Sequence, residues 1–308
     1  MSVDPLFAVK NAFSLGNYQA CIAEAQKLRP SSDDERIARD CFLYRSYIAQ
    51  QKHTIPLDEI KRSHHHRTAR CARKCTPIIW PINTTGSSRD SADWMIDEAR
   101  LYLLISIVEN LDKQSSACDT YFLMAAHIYM KENNYDSALH MLQNSDLLEC
   151  RALAIECLLK MHRGDVAAKE LKKLQEQDED ATVTQMAQAW TNIYLGKDKL
   201  QDAFYIFQEM MDKYGQTALL LCAQAATLIM QHKHEQAEEL LQEALQRDPN
   251  CAEALVNSIV LCQQLGKPLE QCNRYINQLK EGHPSHPWTK AYTAAEQRFD
   301  QICTESVA

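Results

Sequence analysis

The chain has 308 residues, with 33 Lys+Arg against 41 Asp+Glu for a formal charge of −8, and only 7 Gly and 9 Pro. So little glycine, against a usual ~7%, excludes the phosphate-cradling turns of nucleotide folds, and no G-x-G-x-x-G or G-x-x-x-x-G-K-[ST] occurs. The acidic balance also argues against nucleic acid as a partner, since that binding rests on Lys and Arg neutralising phosphate.

At the N-terminus, Met1-Ser2-Val3-Asp4-Pro5 lacks the basic and apolar regions of a secretory signal, so export is not expected. Twelve cysteines in an unexported chain should stay reduced. Cys21, Cys157, Cys222 and Cys262 fall on apolar helical faces, where free cysteine behaves as a small core residue.

Taken in order, the chain repeats one constellation. A first turn, Gly16-Asn17-Tyr18, is followed by Cys21 and Ala25. Residues 61–89 then break the helical period: this stretch has no acid, seven Lys+Arg, the triplet His64-His65-His66, Cys71, Cys75, Trp80, Pro77 and Pro81. A zinc site there would match no standard ligand spacing closely, and a basic disordered insertion touching anionic lipid is the second reading. Beyond it, Ala126, Tyr129, Tyr135, Ala138 and Leu142 restore the pattern, and the turn Arg163-Gly164-Asp165 precedes Ala167, Leu171 and Leu174. Tyr194 and the turn Gly196-Lys197-Asp198 introduce Ala203, Phe207 and Met210.

The clearest copy follows: Ala225 and Ala226, the polar Gln231-His232-Lys233-His234, then Ala237, Leu241 and Ala244, closed by Asp248-Pro249-Asn250. Ala203 to Ala237 is a step of 34 residues, the period of the tetratricopeptide repeat. A last turn, Gly266-Lys267-Pro268, leads into Cys272, Ile276 and Leu279, with Pro284 closing the helix. Apolar residues recur at three and four rather than two, so the pattern predicts an all-α fold without a sheet. The apolar run from Thr217 to Met230 is short of the ~20 residues a membrane span needs, and reads as a buried helix. One helical pair cannot bury its apolar face alone, so the units should stack into a tetratricopeptide-like right-handed superhelix, an α-solenoid with a concave groove.

No catalytic constellation emerges. The chain has no H-E-x-x-H, C-x-x-C or G-x-S-x-G. His232 and His234 lie two apart, so they are expected to be solvated turn residues rather than metal ligands. The acidic run from Glu176 to Asp180 lacks a calcium loop's alternation and central glycine, and reads as a solvated loop. No metal, cofactor or catalytic residue is therefore expected. By repeat register, the groove-facing candidates are Leu123, His127 and Met130, then Gln188, Asn192 and Leu195, then Cys222 and Ile229; each could equally be core.

Several stretches resemble the epsilon subunit family of coatomer. They are Lys10-Asn11-Ala12-Phe13, Cys41-Phe42-Leu43-Tyr44-Arg45-Ser46-Tyr47-Ile48-Ala49-Gln50, Leu57-Asp58-Glu59-Ile60-Lys61, Asp178-Glu179-Asp180-Ala181-Thr182, Lys199-Leu200-Gln201-Asp202-Ala203-Phe204-Tyr205-Ile206-Phe207-Gln208-Glu209-Met210, Leu240-Leu241-Gln242-Glu243-Ala244-Leu245 and Ser285-His286-Pro287. They run in family order. The resemblance implies a non-catalytic helical-repeat subunit of the COPI coat that clasps the C-terminal domain of the alpha subunit. It further implies a cytoplasmic protein, peripheral on Golgi membrane and coated vesicles, that serves Golgi-to-ER, ER–Golgi and intra-Golgi traffic. The rival binding reading is a repeat co-chaperone, which would need a Lys, Arg and Asn clamp on one groove face. A rival enzyme reading is a Cys/His hydrolase on a helical scaffold. Neither lipidation motif is present, so membrane contact would be indirect.

Against the family pattern, 1–308 reads as one repeat array, with N-terminal repeats at 5–60, repeats at 90–298 and a tail at 299–308. Residues 63–89 depart from it. Family-like Glu-Leu-Gln-Gly-Val-Arg and Tyr-Ala-Asp-Tyr-Leu-Ala-Asn are permitted when the codons of Arg67–Ala72 and Cys75–Ile82 are shifted by one and two nucleotides. That reads as out-of-frame translation rather than a functional insertion.

Overall fold

The computed structural model describes residues 5–50, 52, 54–55, 119–284 and 286–307. The readings of 61–89 lie outside the described residues. Among those described, every regular element is a helix, as the periodicity predicts. The chain divides into two compact units, Met1–Tyr194 and Leu195–Ala308.

The first unit opens with α1 (Phe7–Ser14), α2 (Tyr18–Lys27) and α3 (Asp33–Ala49). It continues with α4 (Asp119–Lys131), α5 (Tyr135–Leu142), α6 (Leu148–Lys160), α7 (Gly164–Gln177) and α8 (Thr182–Leu195), whose last residue falls in the second unit. The second unit holds α9 (Lys199–Tyr214), α10 (Ala218–Met230), α11 (His234–Arg247), α12 (Ala252–Gln264), α13 (Leu269–Gly282) and α14 (Pro287–Val307). In the hairpins α4–α5, α6–α7, α10–α11 and α12–α13, we call the first helix A and the second B.

Each hairpin closes over alanine or cysteine. Ala138, Ala167, Ala203, Ala237 and Ala244 are wholly buried, as are Ala126 and Ala225 on facing A helices. Two helices 8–10 Å apart leave no room for a larger side chain where they cross. Larger residues fill the flanks: Leu153 and Met141 in one cluster, Leu171 and Leu174 in the next, Ile259, Ile276 and Leu279 in the last. Cys21, Cys157, Cys222 and Cys262 are buried, as their faces predict.

The tight turns share one chemistry. The left-handed residue is Gly16, Asn133, His162, His232 or Gly266. Its N–H bonds the carbonyl three residues back, and the next N–H bonds five back, as in His232 to Ile229 and Lys233 to Leu228. These are Schellman caps, satisfying carbonyls that a helix end leaves without partners. Three of the five thus place a side chain where glycine fits best.

The Arg163-Gly164-Asp165 turn is displaced from its expected position: His162 makes the reversal, and Gly164 is already the first residue of α7. The glycine serves packing instead: the Tyr194 ring lies where a Cβ on Gly164 would stand, 2.5 Å from the nearest carbon. His234 likewise starts α11, and its Nδ1 is buried without a hydrogen-bond partner, so it is not the solvated turn residue expected. The run Glu176–Asp180 is exposed, as expected.

At the opposite end of three of these hairpins, α6–α7, α10–α11 and α12–α13, helix B is tied to the loop before helix A. Gln177 donates to the Asp146 carbonyl at 3.1 Å, Arg247 to that of Gln216 at 3.1 Å, and Gln278 to that of Pro249 at 2.8 Å. Thr217 caps α10 by accepting from the Leu220 N–H.

Enlarging a crossing residue should be costly: Ala237→Leu is expected to destabilise the chain by about 1–3 kcal/mol. Relieving a left-handed side chain should do the reverse, with His232→Gly gaining about 0.5–1 kcal/mol. Urea denaturation of both variants beside the parent checks the pair.

Candidate interaction surface

In the α10–α11 hairpin, helix A is apolar nearly all round, whereas helix B turns a charged face outward. α10 reads ALLLCAQAATLIM, and α11 reads HEQAEELLQEALQR. A helix without a polar face must be covered on most sides, so what the A helices still expose is informative.

On α4, Leu123 and Met130 belong to a buried cluster with Ile128 and Tyr129, while His127 is exposed. The protein around its ring, and secondly the Arg45 charge, lower the His127 pKa to about 4, leaving a neutral imidazole near pH 7. On α8, Gln188 is half-buried, Asn192 is buried, and Leu195 is 49% exposed. On α10, Cys222 is buried and Ile229 half-buried. Of the eight candidates, His127 and Gln188 in the first unit and Leu195 and Ile229 in the second have accessible surface, whereas Leu123, Met130, Asn192 and Cys222 are buried.

Sequence reasoning passed over neighbours in the same register. α6 offers Glu149, Glu156 and Leu159, and α12 offers Glu253, Val256 and Val260. Leu219 and Met230 stand 39% and 47% exposed at the two ends of α10. The signal was present, because apolar residues there extend past what one stripe against the hairpin partner requires.

One of these positions is already engaged within the first unit. Arg45 on α3 donates to Glu149 Oε2 on α6 at 2.9 Å, with both side chains roughly one-fifth exposed. Its guanidinium also lies 4.3 Å from the Phe13 ring centroid and 5.1 Å from that of Phe42. Asn11 on α1 and Thr182 on α8 are hydrogen-bonded through their side chains. These contacts hold the first three helices against α6 and α8. They join residues from Asn11-Ala12-Phe13 and Phe42–Arg45, stretches that also carry the family resemblance.

No group of three or more potential metal ligands occurs among the described residues. No described helix is long and apolar enough to cross a membrane.

These features define a tetratricopeptide-like helical-repeat scaffold, a class that works by offering helical faces to other chains. The comparison with solved structures agrees: a tetratricopeptide repeat protein from Parabacteroides merdae superposes with a TM-score of 0.58, covering 89% of this chain and 96% of that one at 10% identity. A thermophilic tetratricopeptide-repeat protein of Thermus thermophilus gives 0.51 over 58% and 98% at 16% identity. Such low identities speak for the fold alone. Sequence goes further: residues 2–307 match the family described as coatomer epsilon subunit. A coatomer subunit epsilon of Caenorhabditis elegans is 35% identical over 99% of both chains, and one of Dictyostelium discoideum is 36% identical over 97% of this chain and 98% of its own. The chain belongs to the coatomer epsilon subunit family. It is a component of the COPI coat, and fold and family point to a structural role.

The Arg45–Glu149 contact can be weighed directly. A double-mutant cycle with Arg45→Ala and Glu149→Ala, read by thermal denaturation, is expected to return a coupling on the order of 1 kcal/mol.

Proposed function

We propose that the chain holds the C-terminal domain of the coatomer alpha subunit on the A-helix faces and stabilises it. Through that attachment it supports coated-vesicle formation in Golgi-to-ER, ER–Golgi and intra-Golgi transport. It would act in the cytoplasm, peripheral on Golgi membrane, and without catalysis. The observation that carries this reading is the family match across residues 2–307. The accessible apolar residues on α8 and α10 support it, because affinity between proteins comes from a few apolar anchors rather than from area. In the second unit Leu195, Ile229, Leu219 and Met230 would be such anchors, with Cys222 beneath; in the first unit His127 and Gln188 would offer polar contacts, with Leu123, Met130 and Asn192. The co-chaperone reading fares worse. The eight candidate positions include no Lys or Arg, and His127 is neutral, where that reading needs cations.

We also infer that 63–89 replaces family sequence rather than adding to it. Relatives aligned across 97–99% of both chains leave no room for a long insertion, which favours the out-of-frame reading. Sequencing the transcript tests this, and clean in-frame coverage of the segment would overturn it.

Co-expression with a fragment holding the C-terminal domain of the alpha subunit, followed by size exclusion, tests the main proposal. The parent chain should co-elute with the fragment. Leu195→Asp combined with Met230→Asp should keep the monomer's thermal midpoint yet lose about 2 kcal/mol of affinity, some thirtyfold. Unchanged affinity would remove these faces from the interface.

A further inference from the structure

The first unit is cored in separate pieces. Val9, Cys21, Ala25 and Phe42 cluster with Ala12, Phe13 and Leu43, and every one of these residues lies on α1, α2 or α3. Two further clusters, one holding Leu123, Met141 and Leu153 and the other Ile155, Leu171 and Ala187, draw on α4 to α8. Polar side chains tie the first group of helices to the second. Arg45 on α3 donates to Glu149 Oε2 on α6 at 2.9 Å. The Thr182 hydroxyl on α8 donates to the Asn11 side chain on α1. Glu149 and Thr182 both stand in the first turn of their helices, so the two ties fall at the N-terminal ends of α6 and α8.

These ties differ in kind from the cores they join. The Arg45 guanidinium lies over the Phe13 and Phe42 rings, so its place is set by its own group, and Glu149 is the partner it reaches across to. Each apolar cluster takes several large side chains out of water, which stabilises far more than one polar contact does. A partly exposed ion pair and a hydrogen bond each bias an equilibrium by about fivefold. Both groups therefore keep their cores when the ties part, and the unit opens there at a lower cost than global unfolding. Thr182 is 5% exposed while the ties hold.

We propose that α1–α3 form a lid on the first unit: the three helices swing off α6 and α8 as one piece, with the Arg45–Glu149 pair as a salt-sensitive latch. Opening frees Glu149 and Thr182, and with them the starts of α6 and α8, for contact with a second chain. Closing returns both residues to partners within the unit. Glu149 also belongs to the groove register of α6, so latch and interaction surface share a residue. A second chain that engages Glu149 competes with Arg45 for it and thereby favours the open lid. This proposal does not depend on the alpha subunit being the partner.

The test uses the full-length chain carrying Thr182→Cys. Alkylation of the introduced thiol under native conditions, quantified by peptide mapping, reports how often the lid is open. Adding Glu149→Gln, which leaves Arg45 stacked on Phe13 and Phe42, should speed that alkylation about fivefold. Adding Asn11→Ala instead should act in the same direction. Raising sodium chloride from about 0.1 M to about 1 M should speed alkylation in the Thr182→Cys chain, because salt screens the latch. With Glu149→Gln also present, the salt effect should vanish. Cys21 and Cys157, wholly buried in the cores on either side, should stay protected throughout. The proposal is overturned if Glu149→Gln leaves alkylation at position 182 unmoved, or if Cys21 becomes reactive in step with it, since the helices would then be melting rather than swinging as one piece.

Discussion

Close approach of paired helices is the constraint on which the rest of this structure depends. Because the helices nearly touch at their crossings, wholly buried alanines recur there: Ala126, Ala138, Ala167, Ala203, Ala225, Ala237 and Ala244. An alanine offers little apolar area of its own, so stability has to come from the flanking layers, where Phe207, Met210, Leu174, Leu241 and Leu279 are fully or almost fully buried. At roughly 1.5–3 kcal/mol for each large side chain taken from water, these layers outweigh any single surface ion pair. They also explain the cysteines: thiols such as Cys21, Cys157 and Cys272 fill near-alanine volumes with more contact and little steric cost.

Close packing governs the polar residues as well. Thr191 and Ser258 lie inside α8 and α12, where a hydroxyl has few partners, and each donates back to the carbonyl four residues earlier, at 2.8 and 2.7 Å. Such back-bonding satisfies the oxygen at little cost in helix geometry. Gln224 is buried on α10 and donates to the Gln208 side chain on α9 at 2.9 Å. A buried amide without that partner would cost more than the bond itself contributes, so the pair favours one register of α9 against α10. Arg45 achieves the same over a longer reach. Its charge is shared between Glu149 and the faces of Phe13 and Phe42, so a cation that would be costly to bury alone is compensated from three sides.

Much of this was legible in the sequence, and the gaps have physical causes. Crossing alanines, the 34-residue step and the turn positions announced the helices, because a repeat writes its packing requirement several times over. The exact reversal at His162 was not legible: a glycine beside it is the stronger turn signal, and only the fold reveals that Gly164 was needed to admit the Tyr194 ring. The buried Nδ1 of His234 was hidden for a similar reason, since polarity in a sequence does not say which atoms of a ring face solvent. Interaction residues were half legible. The i, i+4, i+7 stripe that register selects contains both core and surface positions, as buried Leu123 and exposed His127 illustrate. The Arg45–Glu149 contact joins residues over a hundred apart, where no periodic signal operates.

What distinguishes the two helix types of each hairpin is therefore also what suggests a partner. Helix α11 resolves its amphipathy: Ala237, Leu241 and Ala244 are buried, Glu235 and Glu239 face water, and half-buried Glu238 is paired with Lys267. Helix α10 cannot do the same, because it has no polar face to turn outward, and with hairpin partner and neighbours in place Leu219 and Met230 still stand over a third exposed. Scattered exposed apolar residues need no explanation in an ordinary globular chain. Here they lie at both ends of a single helix that is otherwise among the most deeply buried in the second unit, in the register shared by all the A helices. Burial on that helix is thus left incomplete by its own unit, and a second chain laid along it would complete the layer.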